Sequence, residues 1–163
     1  MAMNESDKEN LGKALGRLPS GLAILTTAYQ DQRSAMLVSW FQQCSFDPPM
    51  ISVAIKRGRA AEGALGAIKK FVLNLLHSEQ KNMLAHFGKG FAPDQDPFVG
   101  IDIKQGPQTG LPVLEHSLAY LECQVRHVYD ASDHQLVIGE VVGGHLQEAG
   151  EPMIHLRKSG FHY

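Results

Sequence analysis

The usual chemical signatures are scarce in these 163 residues. There are two cysteines, Cys44 and Cys123, too few for a disulfide framework and too far apart for a paired-cysteine metal site. Each lies in an apolar or alternating stretch, so a free buried thiol is expected at both positions. No apolar run is long enough to span a bilayer. The stretch from Met1 to Asn10 is polar and acidic, without the apolar centre of a signal peptide, and a cytoplasmic protein is expected. Neither sign of charge is in excess. Lys and Arg total 15 against 17 for Asp and Glu, a formal net charge of −2, which argues against a nucleic-acid binder. A local group of cations for a small phosphate-bearing ligand stays compatible with that balance.

Catalytic motifs are missing as well. The chain has no GxxxxGK phosphate loop, no GxGxxG between strand and helix, no GxSxG elbow and no HExxH. Its eight histidines match no zinc spacing, so no metal is expected.

Periodicity outlines the elements. Leu11, Ala14, Leu15 and Leu18 fall at helical spacing after Ser6 or Asp7 as a cap, with Pro19-Ser20-Gly21 as the stop. Strands are expected over Leu22–Tyr29, Ser34–Phe41, Met50–Ile55 and Phe71–Leu76, and helices over Arg59–Ile68 and Gln80–Phe87. Glycine and proline recur from Gly88 to Pro112, which implies a long irregular excursion. Leu118–Asp130 alternates, with Leu121, Cys123, Val125 and His127 on one side and Glu122, Gln124 and Arg126 on the other. Ala131-Ser132-Asp133 then makes a hairpin into the strand His134–Leu146. This order predicts a single domain over residues 1–163, with 1–7 disordered. The fold class is mainly β, a barrel with peripheral helices.

The stretch Ser34–Pro49 leaves a strand, runs extended through small and polar residues and stops at Asp47-Pro48-Pro49. A chain of this kind can turn backbone N–H and C=O groups toward a flat heteroaromatic ring. Lys56, Arg57 and Arg59, between a strand and a helix start, suit a phosphate. On composition alone, an edge strand with a solvated basic turn is the better reading.

Four motifs in order shift that balance. Gly16-Arg17-Leu18-Pro19-Ser20-Gly21, Ser45-Phe46-Asp47-Pro48-Pro49, Phe71-Val72-Leu73-Asn74-Leu75 and Asp133-His134-Gln135-Leu136-Val137-Ile138-Gly139-Glu140-Val141 resemble the flavin reductase-like family of FMN-binding split barrels. Ala35–Trp40 and Arg59-Ala60-Ala61-Glu62 are similar to one branch, the C-terminal flavin reductase module of cyanobacterial diflavin (flavodiiron) proteins. The chain is too short for the other modules of those proteins, so a free-standing relative or an excised domain is expected.

The resemblance implies a homodimeric split β-barrel that binds FMN, or FAD, with NADH or NADPH as electron donor and oxygen, free flavin or a redox partner protein as acceptor. It implies that Met36, Leu37, Val38, Ser39 and Trp40 line the flavin ring, that Gln43, Cys44 and Ser45 approach the ribityl chain and phosphate, and that Arg57 and Arg59 neutralise the phosphate. Family members carry small hydroxyl residues where Leu37 and Gln43 stand, which leaves the backbone as the hydrogen-bonding partner there. His134 is implied at the nicotinamide, although Asp133-His134 reads equally well as the turn itself. Glu140 reads as a packing or ion-pair residue. A flavin carrier that takes electrons from a partner without its own reductase activity is the competing functional reading.

Overall fold

The computed structural model describes residues 3–162. In chain order the elements are α1 (Glu5–Leu15), β1 (Ser20–Gly21), β2 (Ala23–Tyr29), β3 (Gln32–Val38), β4 (Phe41–Phe46), β5 (Pro49–Lys56), α2 (Ala60–Ile68), β6 (Lys70–Leu75), α3 (Lys81–Gly88), β7 (Ile103–Gln105), β8 (Pro112–Leu114), β9 (Ala119–Ala131), β10 (His134–Leu146) and β11 (Ile154–His155). Seven strands form one antiparallel sheet in the order β3-β2-β6-β9-β10-β5-β4. Its outer strands, β3 and β4, are consecutive in sequence and joined only by Ser39 and Trp40. The sheet therefore curls until its edges meet, without a continuous ladder between them. It is a split barrel.

Alternation along the strands separates two cores. Ala23 and Leu25 of β2 and Val38 of β3 face the barrel interior with Val53, Phe71, Leu73 and Cys123, and α2 adds Ala61 and Leu65 to that cluster. The opposite faces carry Ile24, which packs with Leu76, Phe87 and Phe98 against α3 and the following loop, along with partly buried Ala35 and Leu37. β2 is thus buried on both sides, which explains its nearly unbroken apolar run.

Several local expectations are corrected. The first helix starts at Glu5, and Asn4 caps it by accepting from the Asp7 N–H at 2.8 Å. Asn4 lies outside the apolar pattern, so Ser6 and Asp7 looked like the first available caps. Within the segment 1–7 expected to be disordered, Glu5, Ser6 and Asp7 are therefore helical, while Met1 and Ala2 lie outside the described residues. The strand expected over Ser34–Phe41 breaks at Ser39-Trp40. The extended stretch beyond it is β4, paired with β5 through the turn at Asp47-Pro48. Cys44 is exposed rather than buried, because the register of β4 slips between Gln43 and Ser45. The excursion after α3 is mostly irregular, as expected, apart from the short β7.

Two close approaches pin the outer layer. Glu122, on the face expected to be polar, is fully buried. Its Oε2 accepts from the Gln108 and Thr109 N–H groups at 3.0 and 2.7 Å and from the Thr109 hydroxyl at 2.7 Å, which clamps the 106–111 turn over β9. Gly139 sits where the β9–β10 register shifts, beneath the Phe71 ring. A Cβ there would lie 2.8 Å from two carbons of that ring. Phe71 is fully enclosed and has no free rotamer to move into. Gly139→Ala should therefore cost about 1–3 kcal/mol, the usual penalty of overpacking a core. Urea unfolding should show a lower midpoint at unchanged slope.

Candidate functional site

The residues between the two edge strands shape the main cavity. Leaving β3 at Val38, the chain crosses the open seam through Ser39 and Trp40 before entering β4 at Phe41. In the crossing, the Trp40 carbonyl accepts from the Ala54 N–H at 2.8 Å and fastens the seam to β5. Beside it lies a cavity of about 300 Å³, walled by Met36, Leu37, Val38, Ser39 and Trp40. Leu84, Phe87 and Gly88 of α3 form its apolar side, while Lys56 at the end of β5 and Arg59 before α2 supply positive charge. Neither Lys56 nor Arg59 belongs to an ion pair among the described residues.

Leu37 has a packing reason to be apolar. It points toward α3 in the outer core with Phe87, where a hydroxyl would need a partner. Ser39, 8% exposed, is the one hydroxyl in the Met36–Trp40 wall. The cavity combines an apolar lining from Leu84 and Phe87 with two cations, Lys56 and Arg59. Those features fit a planar heteroaromatic ring with a phosphate tail, and Lys56, Arg59 and the start of α2 would hold the phosphate.

Six of the residues expected at the site, Met36 to Trp40 and Arg59, converge on this cavity. Four do not. Arg57 points the other way: it is the first residue past β5, in the turn that Gly58 makes with a positive φ of 77°. Its Nη2 pairs with Asp130 at 3.1 Å and its Nε donates to the Ser132 carbonyl at 3.0 Å, so it braces the β9–β10 hairpin. Gln43, Cys44 and Ser45 lie on β4 beyond the seam. Gln43 donates to the Ser45 carbonyl at 3.1 Å and is exposed, as is Cys44. Lys56, grouped by sequence with Arg57 and Arg59 as suited to a phosphate, also lines the cavity, whereas Leu84, Phe87 and Gly88 of α3 line it without any signal in the sequence beyond their helical spacing.

His134 occupies a neighbouring position. It is 6% exposed, opens β10 opposite Lys56 of β5, and its ring centroid lies 4.9 Å from that of Trp40. His134 Nδ1 is 2.8 Å from Asp133 Oδ1. That contact, ahead of any longer-range charge, holds the Asp133 carboxyl below its usual range. An ionised carboxylate only accepts, so the contact puts the proton on Nδ1. A second cavity, of about 400 Å³, lies between His134, Trp40 and the C-terminal segment around Arg157. Glu140 pairs with Arg126 at 2.7 Å, in line with its reading as an ion-pair residue. Among the described residues no group of three or more His, Cys, Asp or Glu side chains is gathered as a metal site would require. No helix among them is long and apolar enough to cross a membrane.

Comparison with known proteins agrees with this geometry. The family model described as "Flavin reductase like domain" matches residues 15–162. Diflavin flavoprotein A 1 of Synechocystis sp. is 40% identical over 156 residues, covering 94% of this chain and 27% of that protein. The chain thus spans about a quarter of the length of the curated relatives it matches. Among solved structures, the NADH:FAD oxidoreductase SgcE6 of Streptomyces globisporus superposes with a TM-score of 0.85 at 24% identity, over 96% of this chain and 92% of that one. The styrene monooxygenase flavin reductase of Pseudomonas putida S12 gives a TM-score of 0.76 at 29% identity, over 88% and 90% of the two chains.

The two thiols differ enough to be told apart in solution. Burial, followed by the neighbouring Glu122 charge, pushes the Cys123 thiol up to about 12, whereas Cys44 is exposed. Thiolate is the reacting form. At pH 8 a disulfide reagent should therefore titrate one thiol per native chain and two after unfolding, and Cys44→Ser should abolish the native reaction.

Proposed function

Because the chain belongs to the flavin reductase-like domain family, we propose that the cavity at the barrel seam holds FMN and that the protein is an NAD(P)H:flavin oxidoreductase. The carrying observation is the junction of the Met36–Trp40 wall with Lys56 and Arg59 in one cavity. In this reading the backbone and Ser39 along that wall meet the polar edge of the ring. Leu84 and Phe87 keep water from its apolar side, and Arg59 with Lys56 neutralises the phosphate. When bound, the flavin supplies two-electron acceptance from NADH or NADPH with onward transfer to oxygen, free flavin or a partner protein. FAD carries the same ring as FMN, so the same wall would serve it. No general base or nucleophile is needed, consistent with the lack of any such motif in the sequence. His134, turned toward Trp40, stands where a nicotinamide approaching the ring would meet it.

We also propose a homodimer. Phe46, at the tip of β4, is 91% exposed, and Leu146, Ile154 and Leu156 are more than half exposed. A second copy is the economical cover for large apolar side chains of this kind. Sedimentation should give a dimer, and Phe46→Asp should shift it toward monomer.

Arg59→Ala should weaken FMN binding about tenfold or more, the loss expected for a charged hydrogen-bond partner. Arg57→Ala, by contrast, should change affinity less than about twofold, since surface ion pairs contribute little. Flavin absorbance titration measures both. Anaerobic NADH or NADPH should bleach the bound flavin. Binding without bleaching by either would leave a flavin carrier served by a partner.

A further inference from the structure

The second cavity contains a buried cation without a counter-charge. Arg157 is 7% exposed, yet no carboxylate pairs with it among the described residues. Its guanidinium lies 4.8 Å from the centroid of the Trp40 ring. Its backbone carbonyl accepts from Arg17 Nη2 at 3.1 Å, which fixes the segment to the end of α1. Burying a guanidinium with only an aromatic face for company is costly, and the cation–π contact returns only part of that cost. An anion bound there would complete the arrangement.

The surroundings specify that anion. Lys56 and His134 line the same cavity of about 400 Å³ as Arg157, together with Asp133, Phe161 and His162. The single acid among the described lining residues, Asp133, is turned outward with its side chain 75% exposed and is already engaged by His134. Lys56 and Arg157 therefore leave a net positive pocket. At its edge Phe161, 44% exposed, offers a flat apolar ring. Two cations at the base and an aromatic ring at the edge suit a phosphorylated nucleoside, with phosphoryl oxygens on the cations and the base against the ring. Trp40 and Lys56 also line the cavity assigned above to the flavin, so the two chambers share a wall.

We propose that Arg157 and Lys56 bind the phosphorylated adenosine end of the nicotinamide dinucleotide donor, with Trp40 standing between that end and the flavin while the nicotinamide reaches the flavin ring. This rests on the reductase reading above. The recognised group is a phosphoryl oxyanion, present as the pyrophosphate of both donors and as the additional 2′-phosphate of NADPH.

The probes are ADP-ribose and its 2′-phosphorylated form, which lack the nicotinamide and cannot reduce flavin. They are titrated into FMN-loaded protein by calorimetry, with emission from Trp40, the only tryptophan in the chain, as a second readout. Binding should perturb that emission, and Arg157→Gln should weaken it about tenfold, as loss of a charged hydrogen bond does, while FMN affinity stays within about twofold. Arg157→Lys should recover part of the affinity, which a purely structural role would not produce. If the 2′-phosphate is the recognised group, its analogue binds more tightly and Arg157→Gln erases the difference. If the pyrophosphate is recognised, both analogues weaken equally. Failure of both analogues to bind wild-type protein, while NADH or NADPH still bleaches the flavin, overturns the pocket and leaves the reductase reading intact. Binding of the analogues without bleaching upholds the pocket and overturns the reductase reading. The proposal needs no refolded variant to fail, because the wild-type titration alone can overturn it.

Discussion

Everything at the site depends on how the chain crosses the seam of the barrel. β3 and β4 are opposite edges of one sheet but neighbours in sequence, so the backbone must pass from one edge to the other through Ser39 and Trp40. Residues in such a crossing cannot complete a regular ladder, and their polar groups need other partners. One is taken up at once, since the Trp40 carbonyl accepts from the Ala54 N–H. That bond anchors the Trp40 backbone, and the indole, in contact with the His134 ring and the Arg157 guanidinium, walls both the cavity beside the seam and the one lined by Arg157. A single connection between strands thereby organises two chambers.

The basic residues around the seam show how one turn divides labour. Lys56, Arg57 and Arg59 stand almost side by side in sequence, yet they serve different structures. Arg57 ties down the hairpin through Asp130 and Ser132. Lys56 and Arg59 face the cavity. Sequence proximity placed all three near a phosphate, while the turn through Gly58, in the left-handed region, removed one of them.

Much of the architecture was legible because the strands are long and their alternation is strong. β9 and β10 are the clearest case: thirteen residues each, joined at the expected Ala131-Ser132-Asp133 turn, with Ser132 in the left-handed region. The site was legible through motifs, since periodicity alone had left Ser34–Pro49 as an edge strand. β4 is such a strand, so both descriptions hold for different parts of the segment. What escaped was tertiary. A register slip exposes Cys44, and a loop folds over Glu122, which alternation had assigned to the polar face. Arg157 gave no local signal, because its burial depends on Trp40, 117 positions earlier by residue number.

The clamp on Glu122 also bears on how this fold can diverge. Gly106 lies so close to the carboxyl that any side chain there would collide with it, and the turn through Thr109 is fixed to β9 by the hydrogen bonds described above. The irregular path between α3 and β7 carries no comparable buried anchor on β9. A change of length in the 106–111 turn would pull its bound N–H groups away from Oε2 and leave a buried carboxylate without partners. The carboxyl of one buried glutamate thus fixes the length of the last part of the excursion, while the earlier part is held by packing of Phe98 rather than by a buried charge.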